Sequence, residues 1–314
     1  MLVNLVPEFL ATLSAADPTA AYHEYLDHHR PVLSAYWANY VIDPDSPHAE
    51  SIIDAALRAD RADLKRLLDD VDVVAIAEEA LRRSMELLEG DCAVDLYLMV
   101  GVGAANAGEL VVRGRGIAFV CLEHFTGRAN AQTFGLGLAP DLLPLWIAHE
   151  VAHALRYTSP SSRAAIRRLV SDLDGYYDAW ELGSRATLRE LVVNEGAAIA
   201  ASQAIAPGFD AWEYFGYNRR QYRRLRELDA FLRRAAANDL EASGLGLRLR
   251  YLSGGISPAA RLLAGRVLPE RSGYYLGLRL VENYLGEHGA ASTVRAAVEE
   301  LRQADARASG IQTA

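Results

Sequence analysis

Apolar positions recur every three to four residues through most of the first ninety, which predicts a helical region over 1–90. The opening "MLVNLVPEFLATLSAADP" reads as a helical segment. With Pro7 and Glu8 early and no basic start, it lacks the pattern of a signal peptide. In "DPTAAYHEYLDHHRPVLSAYW", Asp17 stands where an N-cap belongs and Pro18 at the first helical position. "SPHAESIIDAALRADRADLKRLLDDV" and "VVAIAEEALRRSMELLEG" continue the spacing, the second stopping at Gly90. At residue 92 the period changes. "CAVDLYLMV", "GELVV" and "GIAFVCLEHF" are rich in strand formers, and "RGRG" is a tight-turn signal between the last two. They predict a small antiparallel sheet of about three strands over 92–125. Helices resume at 141–157, through "SSRAAIRRLVSDLDGYYDAW", at 186–204, through "NRRQYRRLRELDAFLRRAAAND", and near 273–286 and 290–306. A polar tail follows about residue 305. The order predicts a mainly helical α+β fold, with a helical region over 1–90 and a second domain over 91–314.

The 314 residues are 51% hydrophobic, enough for a sizeable core, yet no apolar run reaches the roughly 18 residues that a membrane span needs. Net charge is −9, which argues against nucleic acid as the main partner. Cys92 and Cys121 both fall in predicted strands, so buried thiols are expected rather than a disulfide, and a cytoplasmic setting with them.

The chemistry concentrates in "LWIAHEVAHALRY". An apolar, alanine-rich helix has no structural use for His149, Glu150 and His153 together. Histidines four apart share one helix face and can grip one ion. In the H-E-x-x-H arrangement the glutamate binds no metal; it takes a proton from a water that zinc activates and passes it to the leaving amine. A catalytic zinc wants three protein ligands and an open position. No third histidine follows His153 closely, and Glu195 in "LRELVVNEGAAIAAS" is the best candidate. A carboxylate among Val192, Val193, Gly196, Ala197 and Ala198 is costly to bury unless it is paired or bound to a cation. Those small neighbours would also let two helices approach closely. A bare H-E-x-x-H is a weak signal; its helical setting and the downstream N-E-G-A-A strengthen it.

"AHEVAHALRY", "NEGAAIA" and "SGYYLGLRLVENYL" together resemble the gluzincin metallopeptidases of the thermolysin type. More narrowly, the chain is similar over roughly 90–290 to a bacterial family of predicted zinc-dependent proteases, the YjaZ-like proteins, formerly a domain of unknown function. The resemblance implies a zincin-like domain, one zinc per chain on His149, His153 and Glu195, Glu150 as general base, and a peptide or protein substrate. It also implies an oxyanion donor at Tyr274 or Tyr275, of which a helix would turn one toward the site. Thermolysin-like enzymes place an orienting aspartate four residues after the third ligand, where this chain has Ile199. Asp172, Asp174 and Asp178 are alternatives for that task.

Blander readings stand beside these. Arg156 shares a face with His149 and would either hold a substrate carboxylate or, preferably, pair with an acidic neighbour. The resemblance implies that "GIAFVCLEHF", just before the zinc helix, is an edge strand that lines the cleft and pairs with extended substrate. His124 at its end reads as a surface or orienting residue rather than a ligand. His23, His28 and His29 read as a solvated helix, with a second metal site as the alternative. "GVGAANAG" lacks a phosphate-loop context and reads as a turn. "NRRQYRRLRELDAFLRR" reads as a solvated face with internal ion pairs. The main expectation is a zinc metallopeptidase with a narrow or covered cleft. The rivals are a zinc-binding regulatory protein without turnover, which intact Glu150 argues against, and a hydrolase of a small non-peptide amide, which a closed pocket would favour.

Overall fold

The amino terminus enters the structure as a strand, not a helix. In the computed structural model, which describes residues 1–308, Leu2–Asn4 form β1. Six helices follow: α1 (Val6–Thr12), α2 (Pro18–His28), α3 (Arg30–Tyr40), α4 (Ala49–Arg58), α5 (Ala62–Asp70) and α6 (Val73–Leu87). Asp17 caps α2, its carboxylate accepting from the Ala20 N–H at 3.0 Å. Two stretches that read as single helices are broken. Pro31 lacks the N–H that would continue α2, and sits instead in the first turn of α3. Ala59 is extended and separates α4 from α5. At the end of α6 the left-handed residue is Glu89 (φ 51), and the Gly90 N–H closes the helix on the Met85 carbonyl at 2.7 Å.

Three further strands complete the main sheet: β2 (Val94–Met99), β3 (Ala107–Val112) and β4 (Arg115–Cys121). The order is β1-β2-β4-β3, with β1, β2 and β4 parallel and β3 antiparallel to β4. The sheet is therefore mixed and four-stranded rather than antiparallel and three-stranded. Alternation shows which residues point inward but not which strand lies alongside, and three residues are too few for β1 to show a pattern. Arg113 and Gly114, both at positive φ, form the expected two-residue turn between β3 and β4. Cys121 is buried at the end of β4, Cys92 is half-buried ahead of β2, and both thiols are free.

The expected edge strand is not at the edge. Strand β4 lies between β2 and β3 with Gly116–Cys121 buried, and β3 holds the edge. That edge is already occupied. The Tyr40 hydroxyl donates to the Glu109 carbonyl at 2.9 Å and accepts from the Glu109 N–H at 3.1 Å. The Tyr177 N–H donates to the Val111 carbonyl at 2.9 Å. Both backbone groups of Glu109 and the carbonyl of Val111 are therefore taken, which hinders strand addition there.

Eight helices make up the rest: α7 (Leu143–Thr158), α8 (Ala165–Asp172), α9 (Ala179–Arg185), α10 (Leu188–Ile205), α11 (Arg219–Ala236), α12 (Leu245–Leu252), α13 (Ser272–Arg295) and α14 (Val298–Ala308). The stretch read as one helix before α10 is interrupted by Asp174 and Gly175, both at positive φ. Gly289 (φ 77) interrupts α13 close to the expected break. The sequence did not mark α12, nor two short ribbons pairing Ala129–Asn130 with Gly135–Leu136 and Leu262–Leu263 with Arg266–Val267. The expected polar tail begins inside α14, and 309–314 lie outside the described residues. As expected, α11 carries a solvated face with internal pairs, among them Arg233–Asp229 at 3.1 Å and Arg224–Glu227 at 3.4 Å.

Helix α7 is the central element. It is buried along almost its whole length, between the sheet and the helices α6 and α10. Helices α10 and α13 meet backbone to backbone. A Cβ built on Gly277 would stand 1.7 Å from the Val192 carbonyl oxygen, and one on Gly196 would stand 2.1 Å from the Gly277 carbonyl carbon. One hydrophobic core runs from Leu5 to Ala304, so the first ninety residues share it with the rest. Among the described residues no helix is long and apolar enough to cross a membrane.

Candidate metal centre

Two helices bring three donor atoms together. His149 and His153 stand one turn apart on α7, with their Nε2 atoms 3.1 Å from each other. Glu195 reaches across from α10, its Oε2 3.3 Å from His149 Nε2 and 3.5 Å from His153 Nε2. A tetrahedral zinc with bonds of about 2.0–2.1 Å spaces its ligand atoms by about 3.3–3.4 Å. The three separations bracket that value, so the residues fit the ion.

Burial and charge are balanced within this cluster. The imidazoles are 3% and 2% exposed. Burial alone would raise the Glu195 carboxyl, but the two histidines outweigh it and hold the group well below the usual carboxylate range. Burial likewise opposes charge on His153, yet Glu195 and Glu109 push it up to about 10. His149 is lowered, chiefly by burial. Either a proton or a dication at the centre would compensate the carboxylate. A dication displaces the proton and uses all three donors at once.

The orienting aspartates expected from the sequence do not reach the rings. Asp172 pairs with Arg185 at 3.1 Å, Asp178 caps α9 by accepting from the Trp180 and Glu181 N–H groups, and Asp174 lines an outer pocket beside Gly175. Ile199 is buried in the core. Both Nδ1 atoms, of His149 and His153, are buried without a partner.

Glu150 is 4% exposed and faces a carboxylate that the sequence reading did not single out. Carboxylate oxygens of Glu109 and Glu150 and a ring nitrogen of His153 lie within 4.8 Å of one another. Burial, reinforced by the Glu109 charge, holds the Glu150 carboxyl well above its usual range. Glu109 is itself fixed: its carboxylate accepts from the Tyr157 hydroxyl at 3.0 Å, and the Tyr40 oxygen stands 3.2 Å from it. The Tyr157 oxygen accepts in turn from Asn194 Nδ2 at 2.8 Å. The signal available in the sequence was a lone acid inside the apolar strand "GELVV".

The tyrosine pair divides as helix geometry requires. The Tyr274 ring stacks on His149 with centroids 6.2 Å apart and planes 10° from parallel. Tyr275 turns away, toward Phe215 at 6.1 Å and Tyr222 at 6.3 Å. Arg156 takes the pairing role. It is 1% exposed, donates to Glu190 at 2.9 Å, and donates to the carbonyls of Val294 and Ala296 at 2.9 and 3.0 Å.

The remaining histidines lie outside the centre. His124 is 2% exposed, which corrects the surface reading, and stands 3.9 Å from Glu123. His28 and His29 pair with Glu8 at 3.1 and 2.7 Å, and His23 pairs with Glu50 at 3.0 Å. The Glu8 group converges enough to hold an ion, but its carboxylate is 41% exposed and two such pairs suffice to explain it.

The centre opens into a cavity of about 90 Å³ lined by Glu109, Tyr157, Asn194, Glu195 and Tyr274, with Gly183 of α9 and Arg248 of α12 in its wall. Small-molecule pockets usually span about 300–1,000 Å³. The cavity is small by that measure. Comparison with protein-family models, curated proteins and solved structures finds no match to this chain.

Proposed function

We propose that the chain is a zinc-dependent hydrolase of amide bonds, a metallopeptidase in the broad sense, built on a zincin-like arrangement. The observation that carries this reading is the convergence of His149, His153 and Glu195 at 3.1–3.5 Å with Glu150 beside them. Zinc, when bound there, lowers the pKa of water and polarises the carbonyl under attack. Glu150 accepts a proton from the attacking water and delivers it to the leaving nitrogen. Glu109, anchored by Tyr40 and Tyr157, keeps the Glu150 carboxyl in place. The Tyr274 hydroxyl donates to the oxygen that gains charge as the carbonyl carbon becomes tetrahedral. The small cavity and the partly occupied edge of β3 favour short amides over extended polypeptide, and an intact Glu150 favours turnover over mere metal storage.

The test is metal content by elemental analysis of protein purified without chelators. One zinc per chain is expected for the wild type, and less than about a tenth of that in His149→Ala and Glu195→Ala, as loss of one of three ligands implies. A wild-type protein that neither carries zinc nor takes it up would sink the reading.

The tyrosines give a second check. Tyr274→Phe is expected to lower kcat by about 10²-fold or more, the usual effect of removing an oxyanion donor. Tyr275→Phe should stay near wild type. Equal losses from the two would assign both to packing.

A further inference from the structure

Arg156 was the arginine that the sequence offered as a carboxylate holder, and it is committed to Glu190. The cavity at the centre contains a different one. Arg248 is the one arginine among the residues lining that cavity, which it lines together with Glu109, Glu195 and Tyr274. Its neighbour Arg250 pairs with Asp239 at 3.6 Å, whereas no carboxylate pairs with Arg248 among the described residues.

The course of this side chain is fixed by a glycine. Gly183, in the wall supplied by α9, leaves the space that the Arg248 stem fills. A Cβ at that position would stand 2.3 Å from Arg248 Cδ and 3.1 Å from its Nε. The residue is half-buried, and its charge is felt at Tyr177, another residue of the cavity wall. An unpaired, half-buried arginine lining a small polar cavity is a receptor for a planar anion, since its fork of N–H donors matches a carboxylate.

The size of the cavity narrows the choice. About 90 Å³ leaves little room beyond the metal cluster, and the Glu109 backbone and the Val111 carbonyl of β3 are already taken. A substrate with a carboxylate close to its amide bond satisfies both limits.

We propose that Arg248 anchors the free carboxylate of a short substrate, so that the site releases a carboxy-terminal amino acid from a small peptide or an N-acyl amino acid. This rests on the hydrolase reading above. The reaction adds water across one amide. The acyl carbon gains the oxygen, the carbon–nitrogen bond breaks, and the nitrogen leaves carrying the proton that Glu150 passes to it. Arg248 touches only the carboxylate and sets which amide lies over the metal cluster.

The experiment compares a free acid with its amide. N-acetyl-L-alanine and N-acetyl-L-alaninamide are titrated calorimetrically into zinc-loaded Glu150→Gln protein, which cannot consume a substrate. The acid is expected to bind at least tenfold more tightly than the amide. Arg248→Ala in the same background should bring the ratio near one, Arg248→Lys should keep part of it, and Gly183→Ala, which displaces the stem without removing charge, should reduce it. In parallel, wild-type enzyme is offered acetyl-dialanine with a free or amidated terminus, and a longer peptide blocked at both ends. The free acid should be cleaved at least 100-fold faster in kcat/KM, with that preference lost in Arg248→Ala. An acid preference that survives Arg248→Ala would show that the metal takes the carboxylate, and would overturn the proposal. Equal cleavage of the blocked peptide would overturn it too, while leaving the hydrolase reading intact. An Arg248-dependent acid preference in a protein that cleaves none of these substrates would do the reverse: the anchor stands and the hydrolase reading fails.

Discussion

Replacing Glu150 by glutamine is expected to abolish turnover and to change little else. The size of the loss follows from the role. A positioned general base contributes about 10²–10⁴-fold, so kcat should fall by that factor. The fold should survive, because burial and the Glu109 charge already hold the Glu150 carboxyl well above its usual range. A glutamine amide has the same shape and adds no buried charge. Zinc should remain at one per chain, since the donor atoms belong to His149, His153 and Glu195. The measurement is kcat, metal content and thermal midpoint on one preparation. A variant within tenfold of wild-type kcat would move the base elsewhere, and Glu109 would be the next group to examine.

The second large effect is expected far from any reacting atom. Gly277→Ala should destabilise the protein by about 3 kcal/mol or more, as overpacking against an unyielding neighbour does. Two effects compete. Alanine is the better helix former by about 1 kcal/mol. Against that, its methyl would need the space of the Val192 carbonyl oxygen, 1.7 Å away, and backbone cannot rotate aside as a side chain can. The steric term wins, and α10 must part from α13. Glu195 precedes Gly196 on one of these helices, and Tyr274 lies three residues before Gly277 on the other. Zinc retention should therefore fall together with the unfolding midpoint. Gly286 provides the control. It lies in the same helix, exposed, with nothing within 4 Å of an added Cβ, so Gly286→Ala should stabilise by about 0.5–1 kcal/mol. Similar midpoints for the two variants would mean that the helices separate freely.

How much of the centre was legible in the chain depended on sequence distance. His149, Glu150 and His153 declared themselves because five consecutive helical positions fix their relative directions. Glu195 was legible for another reason: an acid among valines, alanines and glycine needs a cation or a partner. Glu109 carried a similar signal in a short strand, but its partners Tyr40 and Tyr157, and Asn194 behind Tyr157, come from three separate helices, and no local pattern links them. The choice between Tyr274 and Tyr275 needed the rotation of α13 about its axis, which packing against α10 decides. Arg248 sits in "GLRLRYL", where two arginines look alike; only the slot at Gly183 separates the cavity residue from its surface-paired neighbour. The sheet followed the same rule. The β3–β4 hairpin was evident from its turn, whereas the parallel pairing of β1 with β2 joins segments about ninety residues apart, and a period of two says nothing about such partners.

The guarded margins of the sheet bear on how far the chain can be shortened. One margin is the three-residue β1, and the other is β3 with the Tyr40 hydroxyl seated on its backbone. Both guards come from the first forty residues. Cutting the chain near residue 90 would leave every proposed zinc ligand in place, yet it would strip β2 of its neighbour, free the backbone of Glu109 and uncover the face of α7 that α6 protects. Bare margins of that kind invite pairing between copies. The first forty residues thus shield both margins of the sheet, and a fragment trimmed to the ligand-bearing segments is expected to aggregate.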